Sequence, residues 1–206
     1  MIRWVIVGGA DIGNYDRIRS LLGEGDFFVF CDSGLRHSEA LGAEPDLIVG
    51  DFDSFENPCA DTETIVLPCE KDDTDTMYAV KEGVRRGARE FLLLGVCGGR
   101  LDHTLGNVSI LLYLDSLGLV GCMADDYSLV SVVSDEACVE DSFGYFSLLN
   151  VSGVARGITV ENAKYPLKDA EITCEYPYGV SNEVIKGKKA KVKIREGRLL
   201  LLRIYA

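Results

Sequence analysis

Histidine is scarce in this sequence, and the cysteines do not occur in metal-binding pairs. The 206 residues include two histidines and seven cysteines, and no two cysteines form a C-x-x-C pair. A zinc site is therefore not expected, because structural zinc sites need closely spaced Cys and His ligands. The cysteines are scattered along the sequence, and the N-terminal stretch has no signal-peptide pattern. We therefore expect a cytoplasmic protein whose cysteines are reduced and mostly buried.

Long apolar runs and a positive net charge are also missing. No run approaches the ~20 apolar residues that a membrane-spanning helix needs, and the formal net charge is −12. A strongly negative chain is repelled by nucleic-acid phosphates and by anionic membrane surfaces, so neither is expected as a partner. The acidity itself has two interpretations: general solubility, or carboxylates grouped around a divalent cation.

Apolar runs alternate with helical stretches in the first part of the chain. The runs are typical of strands buried on both faces of a parallel sheet; they are 4–7, 27–31, 47–50 and 91–96. The predicted helices are 18–22, 34–41, 74–86 and 101–117. In the last of these helices, one stripe carries Leu101, Leu105, Val108 and Leu112. The alternation predicts the α/β class, with an N-terminal Rossmann-like three-layer domain and a mostly parallel sheet over residues 1–125.

Short strand-like runs separated by glycines follow from about residue 126, with no long helical period. The runs are 128–133, 145–151, 157–160, 171–174, 190–194 and 199–204. Short strands at regular spacing are typical of a small antiparallel sandwich or barrel. We therefore expect residues 126–206 to form a small all-β sandwich domain.

Acidic residues lie next to two of the predicted elements of the first domain, one group after a strand and the other at the start of a helix. Asp51 and Asp53 come directly after the strand 47–50 and point the same way in extended geometry. The segment Lys71–Asp75 opens a helix and holds three aspartates and a lysine, which is more than helix capping requires. Two converging carboxylates repel each other unless a cation lies between them, and Mg²⁺ takes one or two carboxylates together with phosphate oxygens.

A glycine turn at Gly98–His103 joins a predicted strand to a predicted helix. Such a turn exposes backbone N–H groups to an anion, Arg100 can bind phosphate oxygens through its guanidinium, and His103 could contact a phosphate. Each cluster alone is a weak signal, because aspartates and glycines are common in turns. Together, at neighbouring strand ends, they predict a magnesium–polyphosphate site. The absence of G-x-x-x-x-G-K-[ST] and of G-x-G-x-x-G excludes a P-loop and a dinucleotide fingerprint.

These segments resemble the signatures of the thiamin pyrophosphokinase family. Asp46–Ser54, Lys71–Asp75 and Gly98–His103 match three motifs of that family in order and spacing, and Gly179–Glu183 is similar to its G-x-S-N-E segment. The resemblance implies a nucleotide-binding catalytic domain, a thiamin-binding β-sandwich, and a homodimer with active sites between the subunits. It also implies an activity, the transfer of the β,γ-diphosphate of ATP to the thiamin hydroxyl, which gives thiamin diphosphate and AMP.

The resemblance and the residue chemistry together nominate site residues. The Mg²⁺ ligands are expected to be Asp51, Asp53, Asp72, Asp75 and Asp102. The catalytic residues are expected to be Asp53, Asp72, Asp75, Asp102 and Arg100. Binding of ATP and thiamin is expected to involve Asp32, Gly34, Lys71, Gly98, Gly99, Arg100, His103, Ser181 and Asn182.

Two departures from the family pattern affect substrate binding. The segment Cys31–His37 stands where the family usually reads A-D-G-G-A-N, and its Arg36 is unusual. The single tryptophan, Trp4, lies in a predicted strand and is expected to pack in the core, so Tyr176 or Tyr178 is the candidate aromatic partner of thiamin.

Other functions fit parts of the pattern. The acceptor could be another alcohol, such as a hydroxymethylpterin, or the chain could be a nucleotide-sensing module without turnover. The aspartates could also be a solvated surface without a ligand, in which case Mg-ATP would not raise the melting temperature.

Overall fold

Apolar strands build a parallel sheet in the first of two units, Met1–Asp126. The structure, a computed structural model, describes residues 2–52, 61–68, 70, 72–151 and 153–206. The strands of this unit are β1 (Arg3–Val7), β2 (Phe27–Cys31), β3 (Leu47–Gly50), β4 (Thr64–Val66), β5 (Glu90–Leu94) and β6 (Val120–Ala124). They lie in the order β6-β5-β1-β2-β3-β4, and each neighbouring pair is parallel. Their carboxyl ends therefore meet along one edge of the sheet, where open α/β sheets bind ligands.

Short polar side chains fix where two of the connecting helices begin. The helices are α1 (Tyr15–Arg19), α2 (Ser38–Leu41), α3 (Asp75–Arg85) and α4 (Leu101–Ser116), and a 3-10 helix (Asp32–His37) leads from β2 into α2. Asn14 caps α1 by accepting a hydrogen bond from the N–H of Arg17 at 3.0 Å. Thr74 caps α3 in the same way, from the N–H of Met77 at 3.2 Å. Each cap satisfies a backbone donor that has no partner within its helix.

Helix α4 buries a different face from the predicted stripe. Leu101 and Leu105 are 70% and 61% exposed, and the buried positions are Asn107, Ile110, Leu111 and Leu114. Because each residue turns the helix by 100°, the buried face lies roughly 130° away from the stripe. The helix packs on β6, where Gly121 leaves room for Leu114: a Cβ at Gly121 would lie 2.7 Å from a methyl carbon of that leucine. The buried face is the one that packs on β6, although the predicted stripe carries more leucines.

The second unit, Tyr127–Ala206, consists of antiparallel strands. They are β7 (Ser128–Val133), β8 (Glu136–Glu140), β9 (Phe143–Asn150), β10 (Val154–Glu161), β11 (Leu167–Thr173), β12 (Gly179–Asn182), β13 (Lys189–Lys193) and β14 (Leu199–Tyr205). One set runs β12-β9-β14-β7 and the other β11-β10-β13-β8. Both contribute to one core that includes Phe146 and Leu201 from the first set and Ile158 and Val192 from the second. This arrangement confirms the predicted fold class, a mostly parallel α/β sheet followed by a small all-β sandwich.

Trp4 is buried, as its residue type predicts, but most of the described cysteines are not. Trp4 is 5% exposed and stacks on Phe27 at 4.6 Å between ring centroids, as expected for a core residue. Among the five described cysteines only Cys31 is buried, so for this part of the chain the expectation of mostly buried thiols was wrong. Cys138, for example, lies on the exposed side of β8, where side chains alternate between the two faces. Among the described residues, every helix is too short or too polar to cross a membrane.

Candidate active site

A cavity of about 600 Å³ opens at the carboxyl ends of β1, β2, β3 and β5. Most of its lining comes from the loops that follow these strands, and the rest comes from α3 and α4. The lining residues are Gly8, Gly9, Ala10, Asp11, Cys31, Asp32, Ser33, Arg36, Asp51, Thr74, Asp75, Thr76, Gly95, Val96, Gly98, Gly99, Arg100, His103 and Asn107. Residues from each of the three predicted clusters therefore line one cavity, near the carboxyl ends of parallel strands.

Gly98 and Gly99 form an open turn between β5 and α4. Their φ angles are +93° and +53°, and a Cβ built at either position would meet no atom within 4 Å. Glycine adopts this left-handed conformation without strain, and both residues are exposed. The N–H of Gly98 donates to the hydroxyl of Thr104 at 3.1 Å, which fixes the turn on the first turns of α4. An anion can therefore approach the backbone at the start of an α-helix.

Arg100 and Asp102 form an exposed ion pair beside this turn. The guanidinium donates to both carboxylate oxygens, at 3.2 and 2.5 Å. The hydrogen bond from Arg100 lowers the pKa of Asp102 to about 2. In the same way, Asp102 raises the pKa of Arg100. The pair places a fixed positive group next to the turn, and its carboxylate stays ionised at neutral pH.

Asn107 contacts the segment after β5, and Cys97 comes directly before the turn at Gly98–Gly99. The side chain of Asn107, 7% exposed, donates to the carbonyl of Val96 at 2.8 Å and so ties α4 to the end of β5. Burial, together with the negative charge of Asp125, raises the pKa of the Cys97 thiol to about 12. Cys97 therefore remains a neutral thiol directly before the turn.

The described aspartates of the predicted metal site lie in two adjoining cavities. Asp51 and Asp75 line the main cavity. Asp72 and Asp102 line a groove of about 420 Å³ between α3 and α4. The two cavities share Thr74, Thr76, His103 and Asn107. Asp53 and Lys71 lie outside the described residues.

Within the described part of the chain, no group of three or more His, Cys, Asp or Glu side chains is arranged to hold a metal ion. The neighbouring Asp73 is held by Lys81 at 2.7 and 2.8 Å, so one aspartate of the Lys71–Asp75 segment anchors α3. The described carboxylates are therefore oxygen donors in two adjoining cavities, and among the described residues they do not form a closed cage.

Gly34 makes a packing contact near the cavity. It is buried, and a Cβ here would lie 2.2 Å from the carbonyl oxygen of Val7. Only glycine lets the 3-10 helix after β2 approach β1 so closely. Gly34 is not among the lining residues, whereas the neighbouring Asp32 is.

Arg36 and Asp11 line the cavity but were not nominated from the sequence. The Nη2 atom of Arg36 donates to the carbonyl of Gly9 at 2.5 Å and to Asp11 Oδ1 at 2.7 Å. Their positions in the sequence could have indicated a place in the site, because the loops after β1 and β2 lie at the same sheet edge as the acidic clusters. Neither residue matches a motif of the family, so the motifs did not point to them.

A separate cavity of about 620 Å³ lies in the second unit, beside β12. Its lining includes Ser181, Asn182 and Tyr178. Asn182 is 8% exposed, and its amide group exchanges hydrogen bonds with the backbone of Tyr165, at 3.0 and 2.8 Å. Asn182 thus holds the cavity wall together, while Ser181 has an exposed side chain and a φ of +59°. The rings of Tyr176 and Tyr178 stack at 6.2 Å and are 67% and 54% exposed.

Two family models match the sequence over most of its length. Residues 18–119 match the model described as "Thiamin pyrophosphokinase, catalytic domain". Residues 135–199 match the model described as "Thiamin pyrophosphokinase, vitamin B1 binding domain". The chain belongs to the thiamin pyrophosphokinase family. This result confirms the family resemblance seen in the acidic motifs.

Individual proteins support the thiamin pyrophosphokinase assignment. A thiamine pyrophosphokinase of Bacillus subtilis (strain 168) is 26% identical over 141 residues, which are 67% of this chain and 65% of that protein. The match thus spans slightly less than two thirds of that relative's length. A crystal structure of thiamin pyrophosphokinase from Geobacillus thermodenitrificans has a TM-score of 0.85 and 28% identity, and the alignment covers 100% of this chain and 98% of that chain. The Bacillus subtilis structure, with a TM-score of 0.88 and 22% identity over 99% of both chains, shares the fold.

Proposed function

We propose that this chain transfers the β,γ-diphosphate of ATP to the hydroxyl group of thiamin, giving thiamin diphosphate and AMP. The proposal rests on one observation: the family match and the cavity concern the same part of the chain. The part of the chain that matches the family's catalytic domain contributes most of the cavity lining, including the glycine turn, an arginine and several carboxylates. This set of groups suits a polyphosphate bound together with a cation.

Magnesium is the cation that the donor set fits. The described residues offer carboxylate oxygens from Asp51 and Asp75 in the main cavity and from Asp72 and Asp102 in the adjoining groove. Mg²⁺ uses one or two carboxylates and fills its remaining positions with water and phosphate oxygens, so it needs no closed protein cage. Asp53 belongs to the proposed ligand set through the family resemblance. When bound, the ion would offset the negative charge of the triphosphate.

The residues of the turn are proposed to hold the phosphate groups. The backbone at Gly98 and Gly99 is open to an anion, and Arg100 adds a positive charge at the start of α4. His103 and Lys71 are proposed as further phosphate contacts. Fixed donors of this kind stabilise charge that develops as the bond between the α-phosphate and the β-phosphorus breaks. The thiamin hydroxyl oxygen forms the new bond to the β-phosphorus, and AMP leaves with the bridging oxygen.

A carboxylate is proposed to accept the proton of the thiamin hydroxyl. Asp102 is poorly suited to this step, because its pKa of about 2 makes it a weak base at neutral pH. Because Asp102 forms an ion pair with Arg100, its proposed role is to position the Arg100 guanidinium. The proton acceptor is therefore sought among the remaining aspartates, Asp51, Asp53, Asp72 and Asp75.

The second unit is proposed to bind thiamin. Residues 135–199 match a family model named for vitamin B1 binding, and they contain the cavity lined by Ser181 and Asn182. Tyr178 on that lining, stacked with Tyr176, offers an aromatic face to a cationic ring. The exposed leucines of α4 beside Asp102 support the further proposal of a homodimer with active sites between the subunits. The described cysteines form no disulfide with one another, which supports the further proposal of a cytoplasmic location.

The proposed reaction is tested by its two products. Purified protein is incubated with ATP, Mg²⁺ and thiamin, and AMP and thiamin diphosphate are quantified by chromatography. We expect the two products in equal amounts and neither product when thiamin is left out. Formation of ADP, or of AMP with hydroxymethylpterin and not with thiamin, would contradict the proposal. ATP binding without any AMP would indicate a nucleotide-sensing module instead.

A further inference from the structure

Arg36 presents an oriented guanidinium group to the cavity. Its Nη2 atom is held by the Gly9 carbonyl and by Asp11, while its Nη1 atom has no hydrogen-bond acceptor within the described residues. The side chain is 44% exposed, and that of Asp11 is 99% exposed. Both residues line the cavity. The pair therefore leaves an N–H group and a carboxylate oxygen accessible to a ligand.

Buried His37 fixes the backbone around this pair. Its Nε2 atom lies 3.0 Å from the carbonyl oxygen of Ala10, and its Nδ1 atom lies 2.7 Å from the hydroxyl of Tyr15. Because a carbonyl only accepts, Nε2 carries the hydrogen, and Nδ1 accepts from Tyr15. The polar groups of three consecutive residues, 9 to 11, are thus held by Arg36 and His37. Such fixed geometry lowers the entropy lost when a ligand binds.

The charge of this corner differs from that of the glycine turn. At the turn, the exposed backbone of Gly98 and Gly99 lies beside a guanidinium at the start of a helix. At the Arg36–Asp11 pair, the two charges offset each other, and the exposed carboxylate repels phosphate oxygens. The pair follows β1 and β2, and the glycine turn follows the neighbouring strand β5, so the two groups of residues leave the sheet at adjacent strand ends. A neutral ligand group with hydrogen-bond donors and a flat face fits this corner better than a phosphate.

We propose that the Arg36–Asp11 pair binds the nucleoside part of ATP and selects it over other triphosphates. The guanidinium plane packs against the base, and the Asp11 carboxylate accepts hydrogen bonds from ribose hydroxyls or a base amino group. His37 and Tyr15 are positioning residues for the pair. The inference rests on the proposed function, because it takes the triphosphate to lie at the Gly98–Gly99 turn.

The test compares Mg-ATP with magnesium tripolyphosphate, which carries the phosphates without a nucleoside. Dissociation constants are measured by calorimetry for the wild-type protein and for Arg36→Ala and Asp11→Asn. Loss of one such contact is expected to weaken Mg-ATP binding about tenfold and to leave tripolyphosphate binding within about twofold. For Asp11→Asn, tripolyphosphate binding should stay equal or become tighter, because a negative charge has been removed. Asp11 is so exposed that this variant does not threaten folding.

Arg19→Ala is the matched control. Arg19 also binds a backbone carbonyl, that of Ala40, and a carboxylate, but it does not line the cavity. We expect both ligands to bind this variant as they bind the wild-type protein.

Three results would overturn the inference. Arg36→Ala could weaken both ligands equally, which would make Arg36 a phosphate contact. It could leave Mg-ATP binding unchanged, which would make it a scaffold residue, or wild-type protein could bind tripolyphosphate as tightly as Mg-ATP. In each of these cases, continued formation of AMP and thiamin diphosphate by the wild-type protein would leave the proposed function intact. Wild-type protein that binds neither ligand would refute the proposed function itself.

Discussion

The hydroxyl of Tyr15 donates a hydrogen bond to Nδ1 of His37 at 2.7 Å, and this bond connects α1 with the 3-10 helix after β2. His37 is 2% exposed. Burial lowers its pKa, and the positive charge of Arg36 lowers it further. The ring is therefore neutral at pH 7, which is the form that can accept the hydrogen bond from Tyr15 while donating to Ala10.

Replacing Tyr15 by phenylalanine removes the donor to a buried nitrogen. We expect Tyr15→Phe to lower the free energy of unfolding by about 1–3 kcal/mol, because Nδ1 of His37 is left without a partner away from water. Urea denaturation at pH 7.5 measures the change. Tyr176→Phe, on an exposed ring, should unfold at the wild-type midpoint, and a Tyr15→Phe midpoint equal to that of wild type would refute the prediction.

Charge at the two adjoining cavities should control turnover. We expect Asp75→Asn and Asp102→Asn each to reduce kcat for thiamin diphosphate formation about a hundredfold, because a fixed charge near the transferring phosphates is lost. Steady-state kinetics at saturating ATP and thiamin provide the measurement. Asp16→Asn, on the exposed face of α1, is the control and should keep wild-type turnover. Near-normal turnover of either cavity variant would remove that aspartate from the proposed site.

Glu82 makes α3 sensitive to acid. Its side chain is 8% exposed and accepts hydrogen bonds from Arg85 at 2.5 and 2.7 Å and from Arg86 at 2.7 Å. The hydrogen bond from Arg85 is the main reason that the pKa of Glu82 falls from 4.5 to about 2. The folded state thus binds fewer protons than the unfolded state, so this contribution to stability is present above pH 4.5 and is lost as the pH falls toward 2.

Glu82→Gln tests this dependence on pH. At pH 7 we expect the variant to lose about 1 kcal/mol of stability, a modest amount because Arg85 is exposed to solvent. The difference from wild type should shrink as the pH falls below 4.5. Urea titrations at several pH values measure it, with Glu39→Gln on the exposed side of α2 as the control. A difference that is constant from pH 7 to pH 3 would argue against the ionised contact.

The same substitution should have opposite effects in two helices. At Gly83 in α3, a Cβ would lie 2.6 Å from the ring of Phe91 and 2.8 Å from the ring of Trp4, whereas at Gly106 in α4 it would meet no atom within 4 Å. We expect Gly83→Ala to destabilise by about 1–3 kcal/mol through overpacking. Gly106→Ala should stabilise by about 0.5–1 kcal/mol through helix propensity. Melting temperatures that move in the same direction would contradict the packing of α3 on the sheet.

Continuous apolar runs predicted most of the strands, and the strands without such a run were not predicted. The runs at 27–31 and 47–50 coincide with β2 and β3, because both strands are apolar and largely buried. Four strands were not predicted, namely β4, β6, β8 and β12. β4 has only three residues, Gly121 interrupts the apolar run of β6, β8 has a glutamate at each end, and β12 is mostly polar. α1 begins at Tyr15, three residues before the predicted start, because Asn14 provides the cap.

The candidate site was predictable where it depends on position along a strand, and unpredictable where it depends on long-range contacts. The turn at Gly98–Gly99 and the carboxylate of Asp51 follow strands, so their meeting at one edge could be inferred. The bond between Arg36 and Asp11 joins residues 25 positions apart. Its formation depends on how the loops after β1 and β2 pack, which no local pattern records.

The neutral thiol of Cys97 has a practical consequence for covalent labelling. Alkylating reagents attack thiolates, so the cysteine next to the Gly98–Gly99 turn reacts slowly at ordinary pH. Cys138 and Cys174 are exposed and lie in the second unit. A maleimide dye should therefore attach there in preference to Cys97, and the labelled protein should still bind nucleotide.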